Sequence, residues 1–154
     1  HCPFRYDDPQ GKLAPKGRTS FRWVPNGIPG VGARLNILFS EGVMKGRISL
    51  EQFVALTATS HARIYGLYPR KGSIAIGADA DIAIWDPKIS YTLTHDLIQD
   101  GSDYTPYEGF ELTGRPVLTM SRGTVIMRDG ELVGHKGHGI YLPRARSPYA
   151  NTLR

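Results

Sequence analysis
The sequence is poor in the features that usually announce a function. One cysteine, Cys2, among 154 residues excludes an intrachain disulfide framework and fits a reducing, cytoplasmic compartment. No stretch approaches the roughly 18 apolar residues of a membrane helix, and neither a secretory signal nor a membrane partner is expected. Like charges never run to five or six in a row. The 19 Lys and Arg are interspersed with 14 Asp and Glu, so a formal net charge of +5 does not mark a nucleic-acid-binding face. HxH, HExxH and GxxxxGK[ST] patterns are missing. The segment GVGARL is no phosphate loop, because no strand clearly precedes it.

What remains is a chain able to build a core. It is 40% hydrophobic and 21% charged, which excludes a disordered tail. Eleven Pro and 18 Gly imply short elements and frequent turns. The length suits one domain or the end of a larger one. Residues 1–31 read as loop, with Phe4, Tyr6, Phe21 and Trp23 arguing for partial packing. A loop of that length inside a compact domain is usually functional or disordered.

Residues 33–44 are expected to form a helix with Leu35, Leu38 and Phe39 inward. A second helix starts at Ser49, with Gln52 completing a capping box. On a 100° wheel its apolar face holds Leu50, Phe53, Val54, Thr57, His61, Ile64 and Tyr65, and it ends before Gly66 or Pro69. Beyond Pro69 the period changes. Residues 72–86 and 115–134 read as a small β meander, with hairpin turns at Arg122-Gly123 and Asp129-Gly130. Residues 88–112 are less regular, and an extended tail begins at Gly134. The order of loop, helices and strands is α+β, or pieces of two domains. SIAIG and DIAIWD carry apolar residues on both pleat faces, so they want cover on both sides.

No complete reaction centre can be assembled. The five histidines, His1, His61, His95, His135 and His138, do not supply the four ligands of a closed zinc site or the three of a catalytic one. His135 and His138 have chelating spacing, but no Cys or carboxylate follows at ligand spacing, which favours a solvated basic loop. His61 on an apolar face reads as a buried, hydrogen-bonded histidine. Asp79 and Asp81 resemble a paired-carboxylate site, yet the flanking Gly77 and the lack of a nearby His favour turn and strand-entry roles.

Several stretches occurring in order carry a resemblance: HCPF, VPNGIPGV, GRISLEQFVALTATSHARIYGLYPRKGSIAIGADADIAIWDP, YTPYEG, GRPVLTMSRGTVIMRDGELVG and GIYL. Together they resemble the C-terminal part of the dihydropyrimidinase/D-hydantoinase family of the amidohydrolase superfamily. The resemblance implies an α/β parent fold, a metal-dependent (β/α)8 hydrolase barrel with a β-sandwich beside it. A barrel takes about 250 residues, so this chain would hold only part of it. Residues 1–68 would be the last barrel loop and helices, 69–134 the C-terminal portion of the β-sandwich, and 135–154 a tail that bridges subunits in a homotetramer.

The resemblance also implies the chemistry. Two divalent metal ions, usually zinc, would activate a bridging water, and an Asp would shuttle its proton to the leaving nitrogen. A dihydropyrimidine or hydantoin ring then opens to an N-carbamoyl amino acid. In the family that Asp stands immediately before the HCPF segment, and the other ligands lie further upstream. No catalytic residue or metal ligand is therefore expected in this chain, which alone would be inactive and would need the remainder of the same enzyme as its partner. Asn26, in PNG, matches the position that hydrogen-bonds the ring imide, although Asn-Gly is also a common turn pair. His1 and Cys2 would orient the metal-bound Asp without ligating. Ser60-His61 and Gly32-Ala33 depart from the family pattern and leave substrate preference open. The non-enzymatic collapsin response mediator relatives are the alternative, a non-catalytic dihydropyrimidinase-like scaffold, but usually lack PNGIPG.

Overall fold
The computed structural model describes residues 4–151. Helices form where the sequence places them, with one geometric surprise. The first, α1, spans Arg34–Ile37 and continues through a π-helical stretch, Leu38–Met44. It stops at Gly46, whose φ of +67° suits a residue without a Cβ. Phe39 is buried as expected and Leu38 half-buried, whereas Leu35 faces solvent.

The second helix is α2, Leu50–Val54, joined by a π-helical stretch Ala55–Thr59 to α3, Ser60–Ile64. Its start is the expected capping box. Ser49 Oγ accepts from the Gln52 N–H at 3.2 Å, and Gln52 Oε1 accepts from the Ser49 N–H at 2.8 Å. Its end is a Schellman motif. Leu67 N–H donates to the Ala62 carbonyl at 2.8 Å and Gly66 N–H to that of Arg63 at 3.2 Å, with Gly66 at φ +69°.

The predicted apolar face is only partly realised. Phe53 and Ala62 are buried and Thr57 is half-buried, but Leu50, Val54, His61, Ile64 and Tyr65 are exposed. Two causes combine. A π-helical stretch turns more slowly than the 3.6-residue wheel assumes, so downstream positions rotate away from the forecast face. Ala62 thereby takes the inward position instead of His61, and Gly72 packs so closely that an added Cβ there would lie 2.6 Å from that of Ala62. In addition, little among the described residues covers this stripe.

The sheet is an antiparallel meander of four strands in sequence order: β1 Ile82–Thr92, β2 Glu111–Ser121, β3 Thr124–Arg128 and β4 Glu131–Leu132. Both predicted hairpins are two-residue turns with positive φ at each central residue: Arg122 +47° and Gly123 +78°, Asp129 +50° and Gly130 +89°. That is the type I′ signature, whose twist matches the flanking strands. The expected strand at residue 72 begins only at Ile82. Among the described residues SIAIG finds no strand to pair with, and Ile74 and Ile76 stay 87% and 108% exposed. Conversely, β1 runs past Pro87, because a bulge between Asp86 and Ser90 excuses the residue that cannot donate to the ladder.

Two clusters join helices to sheet. Phe39 stacks on Trp85 of β1 with centroids 4.5 Å apart, and Phe53 meets both edge-on at 5.4 and 5.6 Å. Ala33, Leu93, Ile98 and Leu112 form the second, with Ile37, Tyr91 and Tyr107 packed against it. Between them the buried Ser40 Oγ accepts from the Thr113 N–H at 3.0 Å, so the only buried side-chain hydroxyl on the first helix is satisfied by the sheet.

Candidate substrate-pocket wall
The long first segment is irregular but anchored. Tyr6 N–H donates to Asp103 Oδ1 at 2.6 Å, Arg5 pairs with the same carboxylate at 3.6 Å, and the Tyr6 and Tyr104 rings meet edge-on. The Tyr6 N–H is the main reason the Asp103 carboxyl lies below its ordinary pKa. Leu13 and Lys12 then fold back, their N–H groups donating to the carbonyls of Tyr6 and Arg5 at 2.9 and 3.1 Å. Gly11 sits at the fold, where any Cβ would strike the Arg5 carbonyl. Two short 3-10 turns follow, Pro15–Arg18 and Phe21–Trp23. Contrary to the packing expected of the aromatic residues, Phe21 and Trp23 are exposed.

This fold-back delivers Lys12 to the candidate site. Its ammonium donates to the carbonyls of Pro25 and Gly27, on either side of Asn26. Asn26 itself is exposed, and among the described residues neither its backbone N–H nor its C=O has a protein partner. Gly27 follows at φ +82° and Pro29 is fully buried, so the turn is held from below while Asn26 stays open. From Gly27 onward the chain borders a groove of about 650 Å³, lined by Ile28, Val31, Arg34, Leu38, Glu41 and Tyr107 among others. A free donor–acceptor pair on a pinned turn, beside a mainly apolar groove, is suited to reading a small planar ring.

The other sequence candidates go elsewhere. His1 and Cys2 lie outside the described residues. His61 is exposed and not the buried histidine expected, for the rotational reason given above. Asp79 and Asp81 are clamped. Arg70 Nε lies 3.0 Å and Lys71 Nζ 2.9 Å from Asp79 Oδ2, Lys71 also pairs with Asp81, and Asp81 Oδ1 accepts from the Arg122 N–H at 2.9 Å. The hydrogen bond from Lys71 holds the Asp79 carboxyl below its ordinary pKa. Burial pushes Asp81 up, but Lys71 and the Arg122 N–H outweigh it and the net shift is down. For Lys71, burial opposes the charge, yet the two aspartates raise its pKa overall. These are the turn and strand-entry roles read from the sequence: the pair ties residues 79–81 to the β2–β3 hairpin. His135 and His138 lie with ring centroids 5.6 Å apart, each bonded to a backbone carbonyl, of Lys136 and Ser121 respectively. Among the described residues no group of three or more His, Cys, Asp or Glu side chains is placed to hold a metal ion.

The model of the amidohydrolase family matches residues 32–126, well over half of the chain. The chain belongs to the amidohydrolase family. Within it, the similarity runs to hydantoinases and a dihydropyrimidinase, which bears out the resemblance carried by the sequence motifs. The chain is 46% identical to the D-hydantoinase of Geobacillus stearothermophilus over 130 residues, 84% of this chain and 28% of that protein. It is 46% identical to the D-phenylhydantoinase of Escherichia coli O1:K1 / APEC over 144 residues, 94% of this chain and 30% of that protein. The crystal structure of dihydropyrimidinase from Brevibacillus agri NCHU1002 superposes with a TM-score of 0.86 at 42% identity, covering 94% of this chain and 31% of that one. Over the matched region the fold is therefore that of a barrel-type amidohydrolase. The chain spans about 30% of the length of the curated relatives it matches.

Proposed function
We propose that the chain is the C-terminal portion of a cyclic amidohydrolase that opens hydantoin or dihydropyrimidine rings to N-carbamoyl amino acids. Water adds across the ring amide C–N bond: the acyl carbon takes the oxygen and becomes a carboxylate, and the nitrogen takes a proton. The family suggests metal dependence, but the described residues do not fit a metal site. The two divalent ions, zinc in the reading from sequence, belong to the rest of the enzyme. This chain supplies a wall of the pocket. The observation that carries the reading is the unpartnered N–H and C=O of Asn26, held in place by Lys12, at the position where the family contacts the ring imide. The imide offers one donor flanked by acceptors, and the Asn26 backbone complements it.

In the same reading, residues 1–68 close the barrel, 69–134 contribute to the β-sandwich and 135–154 form a tail that bridges subunits of a cytoplasmic homotetramer. Exposed Leu56, Ile74 and Ile76 support this, because such side chains call for cover from other segments. His1 and Cys2 orient the metal-bound Asp.

Steady-state kinetics of the full-length enzyme test the pocket wall. Asn26→Ala keeps the backbone pair and should change kcat/KM by no more than a few-fold. Asn26→Pro removes the N–H and should cost about three- to tenfold, the worth of one neutral hydrogen bond, mainly in KM. Equal kinetics for Asn26→Pro and wild type would remove Asn26 from the site.

A further inference from the structure
The net charge of this chain has an address. Residues 9–40 hold five cations, Lys12, Lys16, Arg18, Arg22 and Arg34, and not one acid, while the remaining 122 residues carry 14 of each sign. The whole +5 therefore sits on the segment that frames Asn26. Lys12 is committed to the Pro25 and Gly27 carbonyls. Among the described residues, Lys16, Arg18 and Arg22 have no carboxylate partner.

Within this segment a cleft of about 440 Å³ opens between Pro9, Gln10, Ala14, Pro15, Lys16 and Trp23. Its walls are set by local structure. The two 3-10 turns pack together, a Cβ on Gly17 would lie 3.0 Å from the Val24 side chain, and Thr19 Oγ1 donates to the Lys16 carbonyl at 2.8 Å. Lys16 Nζ stands over the Trp23 ring, 5.2 Å from its centroid, and Trp23 is 59% exposed. An indole face, two prolines and an unpaired ammonium at one edge suit a ligand with an aryl end and an anionic end. A neutral ring would use only half of that arrangement.

We propose that this cleft binds an aryl-substituted carboxylate, its aromatic ring against Trp23, Pro9 and Pro15 and its carboxylate on Lys16. Naming the ligand rests on the proposed ring hydrolysis. That reaction takes in a neutral cyclic ureide and releases an anion, so an aryl N-carbamoyl amino acid is the species with the required charge and shape. The cleft is then a product subsite beside the substrate turn, and the acid-free rim draws the anion out of the neutral substrate's place. A concave cleft with one free ammonium fits a single carboxylate better than a polyanion, which needs a row of cations along an open face.

The test is equilibrium binding to the full-length protein carrying this chain, read by Trp23 fluorescence as the difference between wild type and Trp23→Phe, with phenylhydantoin read before turnover. Trp85, packed against Phe39 and Phe53, serves as internal reference, and Trp23→Phe as the blank. N-carbamoyl-phenylglycine should quench saturably and phenylhydantoin should not. Raising NaCl to molar concentration should weaken binding severalfold. Lys16→Gln should weaken it about two- to fivefold, the range of an exposed ion pair, with Lys16→Arg restoring it. Equal response to the acid and the neutral ring, no response to either, or indifference to Lys16→Gln would overturn the proposal. So would tighter capture of a single-stranded oligonucleotide in competition with the acid. Ring opening by the full-length enzyme is assayed separately: binding without ring opening would sink the proposed hydrolysis and leave the cleft, and ring opening without binding would do the reverse.

Discussion
Removing Phe39 should detach the helices from the sheet. Its ring is 4% exposed, stacks on Trp85 at 4.5 Å and meets Phe53 at 5.4 Å, so Phe39→Ala deletes the centre of the aromatic trio. Large-to-small changes of a buried Phe cost about 3–5 kcal/mol, and geometry-specific ring pairs add about 0.5–1.5 kcal/mol each in coupling terms. Against a typical total of about 5–15 kcal/mol, the loss takes a large share. In urea it should lower the unfolding midpoint by about 1–5 M, for a slope of about 1–3 kcal/mol/M. Trp85 emission reports it in a Trp23→Phe background. Gly114 supplies the control. It sits at φ +86°, and a Cβ there would press into the Phe39 ring. Gly114→Ala thus carries backbone strain of about 1–2 kcal/mol plus a clash, and only the clash disappears when Phe39 is Ala. The two substitutions should therefore be non-additive by about 1 kcal/mol or more. A Phe39→Ala cost under about 1 kcal/mol, or strict additivity with Gly114→Ala, would refute the reasoning from the aromatic trio.

Three further outcomes are expected. The Asp79–Lys71–Asp81 clamp should make stability pH-dependent at both extremes. Both aspartates have lowered pKa values, so their contribution is present above the ordinary value of 3.8 and lost as pH falls through the folded values. Lys71 is raised, so its contribution is full below 10.5 and lost as pH rises through its folded value. Asp81→Asn should flatten the acid limb of the urea-midpoint profile, and an unchanged limb would contradict the clamp. Gly130→Ala should destabilise by about 1–2 kcal/mol through φ +89° alone, because the nearest obstacle, Arg115 Nη2, can swing away; thermal unfolding reads it. Exposed Leu56, Ile74 and Ile76 should make the chain self-associate in isolation, with Ile74→Lys and Ile76→Lys reducing it. Light scattering showing a monodisperse wild-type monomer would count against this.

The features legible in the sequence are those decided locally. Ser49 and Gln52 cap each other across three residues, Gly66 closes the same helix, and the two hairpin turns need only adjacent residues at positive φ. The features that escape it depend on distant partners or altered periodicity. Ile74 and Ile76 look like a strand, but strand formation needs a neighbour, and none among the described residues is offered. Pro87 reads as a stop, and the bulge that tolerates it belongs to the pairing with β2. His61 is misplaced by a wheel of fixed pitch, which does not allow for a π-helical stretch. At the proposed site, Asn26 is legible only through the family resemblance. Lys12, which holds that turn, gives no signal because nothing local links residues 12 and 26. The acid-free segment is plain in the sequence, but a search for runs of like charge passes over the spacing between acids.

The most direct test of the central claim is ring opening itself. The full-length protein carrying this chain is incubated with phenylhydantoin and with dihydrouracil, and N-carbamoyl amino acid is quantified. Its formation from at least one of the two is the expected result, slowed by Asn26→Pro. A folded full-length protein that opens neither ring would contradict the proposed hydrolysis.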